Sequence, residues 1–396
     1  MYPLSTQHLI EWTEDGHPRT AQWRSESGAP PPRRVVIADD RMTADAAYRL
    51  VCEGTALLWR GDYQGARQLL AALARRVDRG PRRPRGRRGP AETAAEAFHR
   101  HRQEQGRRAR LLGMLLVPLD ADLAVPLRRA PDVREACAQA YGPAYDPAQG
   151  PADGQAYGPS VVSLRELLGL IGAHEWREKG VEIPALGGDR IHPYYGVFSP
   201  VRGEYVDLVA EAPLPASREA AFDIGTGTGV LAAVLARRGV ERVVATDQDA
   251  RALACARENV ARLGVAERVE VVRADLFPPG RAPLVVCNPP WVPARPSSPV
   301  EYAVYDPGSR MLHGFLNGLA DALTPGGEGW LILSDLAEHL GLRTREELLG
   351  AFEAAGLRVV DRLDTRPAHP RAADPSDPLH AARAAEVTSL WRLAAG

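Results

Sequence analysis

A glycine-rich turn between an apolar strand and a helix constrains the fold more than any other feature of the sequence. It follows the predicted strand Ala221–Ile224, opens the predicted helix Gly229–Arg238, and reads Asp223-Ile224-Gly225-Thr226-Gly227-Thr228-Gly229. Glycines here let the backbone approach a ligand closely at a helix N-terminus. Val230 stands where a dinucleotide site has its third glycine. The spacing therefore suits a nucleoside with an amino-acid tail better than a pyrophosphate.

After residue 215, strands alternate with helices to the end of the chain. This alternation predicts a parallel sheet flanked by helices. The last two strands, Leu357–Leu363 and Val387–Leu393, have no obvious long helix between them, so we expect one of them to run antiparallel. The other predicted strands are Arg242–Thr246, Val269–Arg273, Leu284–Cys287 and Trp330–Ser334, and the other predicted helices are Ala250–Leu263, Met311–Leu323 and Arg345–Ala355.

Acidic residues end the next two predicted strands. Asp247 occupies the expected place of a carboxylate that accepts hydrogen bonds from both hydroxyls of a ribose. Asp249 is interpreted as the N-cap of the following helix. Asp275 is expected either to accept a hydrogen bond from an adenine amino group, with Leu276 packed on the ring, or to be a solvated turn residue.

The tetrapeptide Asn288-Pro289-Pro290-Trp291 ends the strand that follows. An amide or an exocyclic amine is a poor nucleophile because its lone pair is delocalised. The side-chain carbonyl of Asn288 and the main-chain carbonyl of Pro289 can accept its two N–H groups as a new bond forms. Pro289 and Pro290 stiffen the loop, and Trp291 supplies a flat face for a flat substrate. Together with the glycine turn, this loop indicates methyl transfer to a planar nitrogen.

These motifs resemble the class I S-adenosylmethionine-dependent methyltransferases, specifically the small-domain group that carries an Asn-Pro-Pro-aromatic loop. The resemblance covers residues 191 to 396. It implies a Rossmann-like seven-stranded α/β sheet and S-adenosylmethionine as the cofactor, bound by residues 223–229, Asp247, Asp275 and Leu276. The segment Gly196-Val197-Phe198-Ser199 is similar to the entry segment of ribosomal-RNA guanine methyltransferases. Two further segments, Pro200-Val201-Arg202-Gly203-Glu204 and Tyr305-Asp306-Pro307, are similar to release-factor glutamine methyltransferases. Asn259 fits the second helix of the family.

We expect residues 1–180 to form a mainly α-helical region that recognises the substrate, with the methyltransferase domain in residues 181–396. Helical spacing of apolar residues covers Thr43 to Val77, where Asp62 is the expected N-cap of a second helix, and another helix is expected over Ala91–Leu116. The segment 79–90 is predicted to be a mobile Arg-rich loop, and the Gly/Pro/Ala-rich segment 141–160 a linker.

The sequence leaves the substrate open. Thirteen arginines face four acidic residues between Arg75 and Arg110, which favours RNA or DNA, with a nucleobase exocyclic amine as the acceptor. A GC-biased, solvated loop explains the same arginines. A protein glutamine amide meets the same two carbonyl acceptors and is the alternative, followed by a small-molecule amine. A non-catalytic, cofactor-binding scaffold protein is the remaining hypothesis.

Composition narrows the protein class. The net charge of −1 excludes a whole-protein field that attracts nucleic acid or membrane. The four cysteines have no paired spacing, and Cys255 and Cys287 are expected in the core. No metal site is expected, because His369, Asp374, Asp377 and His380 match no ligand pattern. With no apolar segment long enough to span a bilayer, a cytoplasmic location without membrane partners is expected.

Overall fold

The computed structural model describes residues 9–79, 92–142, 158–201, 203–296, 301, 303–367 and 374–396. The chain divides into two compact units. One comprises Met1–Pro90 with His101–Glu175, and the other Ala91–Arg100 with Trp176–Gly396. Except for Arg79, the expected Arg-rich loop lies outside the described residues, as does the interior of the expected linker.

The first unit is built on a six-stranded sheet with helices. Its strands lie in the order β1-β2-β6-β5-β4-β3, with β3, β4 and β5 parallel. The elements up to residue 179 are β1 (Leu9–Glu14), β2 (His17–Arg24), β3 (Arg34–Ala38), α1 (Ala44–Cys52), β4 (Thr55–Trp59), α2 (Tyr63–Arg79), α3 (Ala94–Leu112), β5 (Leu115–Leu119), α4 (Arg134–Tyr141), β6 (Ser160–Ser163) and α5 (Leu164–Lys179).

The prediction of a mainly helical N-terminal region omitted this sheet. The strands β4 and β5 are five residues long and buried at every position. A short, uniformly apolar run has no alternation, so periodicity cannot separate it from a buried helix. The predicted helices therefore absorbed Leu57 and Leu58 of β4 and Leu115 and Leu116 of β5. Asp62 is confirmed as the cap of α2, because its Oδ1 accepts a hydrogen bond from the Gln64 N–H at 2.9 Å.

The second unit contains the predicted Rossmann-like sheet of seven strands. Their order is β11-β10-β9-β12-β13-β15-β14, and β15 runs antiparallel to both of its neighbours, β13 and β14, which confirms the expected antiparallel strand. The elements are β7 (Val181–Glu182), β8 (Arg190–Ile191), α6 (Glu204–Glu211), β9 (Ala220–Ile224), α7 (Val230–Arg237), β10 (Arg242–Asp247), α8 (Ala250–Arg262), β11 (Val269–Arg273), β12 (Ala282–Cys287), α9 (Arg310–Ala322), β13 (Leu323–Ser334), α10 (Leu336–His339), α11 (Arg345–Ala354), β14 (Leu357–Thr365), α12 (His380–Ala385) and β15 (Thr388–Ala395).

Two apolar cores cover the two faces of this sheet. Helices α6, α7 and α8 contribute to one core, and α9 and α11 contribute to the other. Side chains of β9 alternate between the two faces of the sheet. Ala221 belongs to the first core, whereas Phe222 and Ile224 belong to the second. Cys255 and Cys287 are fully buried, as expected.

The sheet topology positions the functional loops. Strands β10, β9 and β12 are neighbours and run parallel, so their carboxyl ends lie side by side at one edge. In open α/β sheets, ligands bind at the carboxyl ends of the strands, where the strand order reverses. The reversal here falls between β9 and β12, the two strands that lead into the glycine turn and the Asn-Pro-Pro-Trp loop. Among the described residues, no helix is long and apolar enough to cross a membrane.

Candidate active site

The glycine turn adopts a backbone that requires glycine. Gly225, Gly227 and Gly229 have φ angles of 72°, 55° and 81°, a region that side chains with a Cβ rarely occupy. A Cβ on Gly225 would also lie 2.5 Å from the Cε of Met311, and one on Gly229 would lie 3.2 Å from the Cα of Ala256. Conformation therefore selects glycine at all three positions, and packing also selects it at Gly225 and Gly229.

Asp223 stabilises this turn and the start of α7 by hydrogen bonds. Its Oδ2 accepts hydrogen bonds from the Thr226 hydroxyl at 2.6 Å and from the Ala232 N–H at 3.1 Å. The side chain is 1% exposed, and burial raises the pKa of the Asp223 carboxyl to about 6. Asp223 was predicted as a cofactor-binding residue. Its bonds to the turn indicate that it acts by fixing the loop conformation.

Asp247 stands at the end of β10, next to the turn. Its Oδ2 accepts a hydrogen bond from the Gly227 N–H at 3.1 Å, and its Oδ1 accepts one from the Asp249 N–H at 3.0 Å. Burial raises the pKa of the Asp247 carboxyl, and these N–H donors oppose the rise. Asp249 is confirmed as the N-cap of α8, because its side chain accepts a hydrogen bond from the Arg251 N–H.

Asp275 and Leu276 follow β11 at the same edge. The Asp275 side chain is exposed and its Oδ1 accepts a hydrogen bond from the Gln248 amide. Leu276 has a φ of 71°, which is unusual for a residue with a large side chain. The Thr246 hydroxyl donates to the Leu276 carbonyl at 2.6 Å and so ties this loop to β10. The carboxylate keeps lone pairs that are open to solvent or to a ligand.

The Asn-Pro-Pro-Trp loop is held by a hydrogen bond within it. The indole N–H of Trp291 donates to Oδ1 of Asn288 at 2.8 Å. This bond orients the Asn288 amide and leaves the second lone pair of its oxygen free for another donor. Trp291 is half-buried and packs against three apolar clusters of the second unit. The ring thus has a positioning role that the sequence did not suggest, beside its predicted stacking role.

Asp306 supports the same loop from the segment that follows it. Its N–H donates to the Val292 carbonyl at 2.9 Å, and its Oδ2 accepts from the N–H groups of Met311 and Leu312 at 2.8 and 3.3 Å. Burial raises the pKa of the Asp306 carboxyl. Through Met311, which lies against Gly225, the start of α9 meets the glycine turn. Asp306 therefore connects Val292, the residue after the Asn-Pro-Pro-Trp loop, to the start of α9, which lies next to the glycine turn.

Asn259 connects the glycine turn to the upstream segment around His192. Its Oδ1 accepts a hydrogen bond from the His192 N–H at 2.8 Å, and its Nδ2 donates to the Thr228 carbonyl at 3.1 Å. The residue is fully buried on α8. The presence of asparagine at this position therefore has a physical reason, since one amide connects the backbone of the glycine turn to the backbone at His192.

Two polar atoms downstream of His192 are buried without a hydrogen-bond partner within the described part of the chain. They are Oγ of Ser199 and Oε1 of Glu204, the first residue of α6. Helix α6 shares a core with α7, the helix that begins at the glycine turn. Buried polar atoms are normally hydrogen-bonded to protein or water. Ser199 and Glu204 are therefore candidates for contacts to the polar end of a bound cofactor.

The C-terminal segment 365–386 offers no metal site in the residues that can be described, where no cluster of three potential ligands occurs. Asp374 and Asp377 stabilise local turns, accepting hydrogen bonds from the N–H groups of Ser376 and Leu379 at 2.9 and 2.8 Å. His369 lies outside the described residues. These hydrogen bonds are typical of turns.

Residues 191–355 match the family model described as methyltransferase small domain. This range contains the glycine turn, Asp247 and the Asn-Pro-Pro-Trp loop.

Three curated relatives resemble the chain over shorter stretches. A release factor glutamine methyltransferase of Cereibacter sphaeroides is 40% identical over 170 residues, which cover 39% of this chain and 58% of the relative. A ribosomal protein L11 methyltransferase of Pelotomaculum thermopropionicum is 40% identical over 144 residues, covering 36% and 39%. A tRNA1(Val) (adenine(37)-N6)-methyltransferase of Bacteroides thetaiotaomicron is 33% identical over 127 residues, covering 30% and 54%. The chain thus spans less than two thirds of each relative.

Proposed function

We propose that the protein, whose residues 191–355 carry a methyltransferase small domain, is an S-adenosylmethionine-dependent N-methyltransferase. The glycine turn and the α7 N-terminus would hold the methionine part of the cofactor, and Asp247 the ribose. Asp275 and Leu276 would contact the adenine. Asp247 suits its role because its carboxylate is fixed by two backbone N–H groups and still has lone pairs for the ribose hydroxyls.

The observation that carries the proposal is the place of Asn288. Its amide lies at the carboxyl end of β12, the strand paired with β9, which leads into the glycine turn. A nitrogen held by Asn288 Oδ1 and the Pro289 carbonyl would face the methyl sulfonium at that edge. S-adenosylmethionine would supply the methyl group, with the N–C bond forming as the C–S bond breaks. The Asn288 and Pro289 carbonyl dipoles would stabilise the positive charge that builds on the nitrogen, which would then lose a proton to solvent.

The acceptor that we favour is the exocyclic amine of a nucleobase in RNA or DNA. A base carries the planar amine that fits two carbonyl acceptors, and it would have to leave its stack to reach them. The relative from Bacteroides thetaiotaomicron is named for adenine N6 methylation. The arginine-rich stretch gives weaker support, because Arg76, Arg100 and Arg108 each pair with a carboxylate.

A protein glutamine is the second candidate. The relative from Cereibacter sphaeroides is named for release-factor glutamine methylation, and a glutamine amide also presents two N–H groups to Asn288 and Pro289.

Labelling of cell extracts with S-adenosylmethionine that carries a labelled methyl group tests the proposal. We expect nuclease-sensitive label with the wild-type protein and none with Asn288→Ala, while both proteins bind the cofactor equally. Asn317→Ala is the matched control, since Asn317 is exposed on α9. Protease-sensitive label would identify the glutamine alternative. Unchanged labelling by Asn288→Ala would refute the role of the loop.

A further inference from the structure

The first two turns of α3 belong to the second unit, and Phe98 on them contacts a residue close to the Asn-Pro-Pro-Trp loop. Phe98 is 3% exposed, and its ring centroid lies 6.5 Å from that of Tyr305, with an angle of 53° between the ring planes. Aromatic pairs at this spacing stabilise a structure beyond the area that they bury. Phe98 lies outside residues 191–355, so the family match assigns it no role.

Tyr305 is paired with the residue that follows the loop. It forms an isolated parallel β-bridge with Val292, and hydrogen bonds flank Tyr305 on both sides. The Val292 N–H donates to the Val304 carbonyl at 3.1 Å, and the Asp306 N–H donates to the Val292 carbonyl at 2.9 Å. The backbone at Tyr305 therefore fixes the backbone at the exit of the loop.

The loop itself packs against the apolar cluster that contains Phe98. Phe98 and Val292 are buried members of this cluster, and Trp291 packs against it. The indole N–H of Trp291 donates to Oδ1 of Asn288 at 2.8 Å. A continuous path of contacts and bonds therefore leads from Phe98 through Tyr305 and Val292 to the amide that would hold the acceptor nitrogen.

The start of α3 is fixed by its own hydrogen bonds. The Thr93 hydroxyl accepts one from the Glu96 N–H at 3.2 Å, and the Glu96 carboxylate accepts one from the Thr93 N–H at 2.9 Å. This reciprocal pair is a capping box, which satisfies N–H groups at a helix N-terminus. A Cβ placed on Gly341 would lie 3.9 Å from the Cβ of Ala95, so this side of the helix also contacts the second unit. Phe98 is therefore carried by an ordered helix.

We propose that Phe98 is a positioning residue of the reaction, which fixes Trp291 and Asn288 through Tyr305. This proposal rests on the proposed function, because it concerns the loop that would hold the acceptor nitrogen. A carbonyl stabilises the transition state best when it is already oriented, so a small displacement of the loop lowers the rate. Phe98 acts through Tyr305 and needs no contact with the substrate. The acceptor end of the site then depends on a helix from outside the methyltransferase small domain.

Hydrogen exchange of the Trp291 indole tests this role without a substrate. The full chain is labelled with ¹⁵N in tryptophan only, and the Trp291 signal is the one absent from Trp291→Phe. We expect Phe98→Leu to make exchange of this N–H about tenfold faster, because local opening of the loop becomes easier. Phe352→Leu is the matched control, since Phe352 is 1% exposed and pairs edge-to-face with Trp391 at 5.6 Å. Both variants should unfold at a lower temperature, but the control should keep the wild-type exchange of Trp291.

A double variant separates a path through Tyr305 from a general loss of packing. Tyr305→Leu removes the second ring of the pair, and the combination with Phe98→Leu removes both rings. If Phe98 acts through Tyr305, the double variant should exchange the Trp291 N–H no faster than Tyr305→Leu alone, because the contact is already lost. Additive effects of the two substitutions would overturn the proposal. Wild-type exchange in Phe98→Leu, or equally fast exchange in Phe352→Leu, would also overturn it.

Methyl transfer shows which of the two proposals fails. The probe is total RNA and DNA freed of protein, with saturating S-adenosylmethionine. We expect Phe98→Leu to label it about tenfold more slowly than Phe352→Leu, with wild-type affinity for S-adenosylhomocysteine by calorimetry. If Phe98→Leu speeds Trp291 exchange as expected but the wild type labels no nucleic acid, the proposed function is wrong and the control of the loop by Phe98 stands. If nucleic acid is labelled and both variants label it at the same rate, the positioning role is wrong.

Discussion

Replacing Trp291 by Phe isolates the hydrogen bond that orients the Asn288 amide, which we propose to hold the acceptor nitrogen. The indole N–H of Trp291 donates to Asn288 Oδ1 at 2.8 Å. Phenylalanine keeps an aromatic face for stacking and removes this donor. A hydrogen bond of this kind contributes about 0.5–1.5 kcal/mol. Without it, the Asn288 amide would be less well oriented, and the proposed stabilisation of the transition state would decrease by a similar amount. We therefore expect kcat to fall roughly 2- to 12-fold, since 1.4 kcal/mol corresponds to tenfold in rate.

The assay is methyl transfer to the substrate found by extract labelling, with cofactor affinity measured by calorimetry on the same samples. Cofactor affinity should not change, because Trp291 lies on β12's loop and not on the glycine turn. Trp12→Phe is the matched control, since it removes an indole N–H bonded to Glu14 in the first unit. The reasoning fails if Trp291→Phe has the kcat of this control, or if the whole effect appears in cofactor binding.

Three further substitutions test the cofactor end of the site. Gly225→Ala should weaken cofactor binding and lower the unfolding temperature more than Gly239→Ala, because both have positive φ but only the first meets Met311; equal effects in calorimetry and thermal unfolding would contradict this. Asp247→Ala should weaken cofactor binding by about 10- to 100-fold by calorimetry, as one charged acceptor is lost; an unchanged affinity would exclude the ribose role. Folding raises the pKa of Asp223 from 3.8 to about 6, so the folded state binds the proton more tightly than the unfolded state. The contribution of Asp223 to the unfolding free energy should therefore fall by about 3 kcal/mol as pH rises from below 3.8 to above 6, and then level off. Asp223→Asn should make the measured fall smaller in denaturant titrations, because only the contributions of other carboxyls with a raised pKa, such as Asp247 and Asp306, remain; a fall of the same size in the variant would refute it.

The second unit was predictable because its local signals agree with its fold. Strands β9 and β10 are each followed by a helix, α7 and α8, and glycine or aspartate marks the turns that lead into these helices. The predicted strand Arg242–Thr246 differs from β10 by one residue at its end. Trp330–Ser334 was predicted shorter than β13, which begins at Leu323, because Thr324–Gly327 contains proline and two glycines.

The first unit was less predictable for the opposite reason. Its central strands are short and buried on both faces, so β4 and β5 have no alternating pattern. Tertiary burial, not local spacing, separates them from helices.

Several contacts within the candidate site could not be predicted from the sequence. The motif suggested that Asn288 binds a substrate nitrogen, but not that Trp291 orients it. Asp306 was noticed as part of a resemblance, but the sequence did not show that it joins Val292, fourteen residues earlier, to the start of α9.

Mass mapping of the methylated product tests the central claim most directly. Total RNA and DNA, freed of protein, are incubated with the protein and labelled S-adenosylmethionine, digested to nucleosides, and compared with the same reaction by Asn288→Ala. We predict a labelled methyl group on the exocyclic nitrogen of one nucleoside, absent from the variant. A methyl group on a ring carbon or a ribose oxygen, or equal product from Asn288→Ala, would contradict the account.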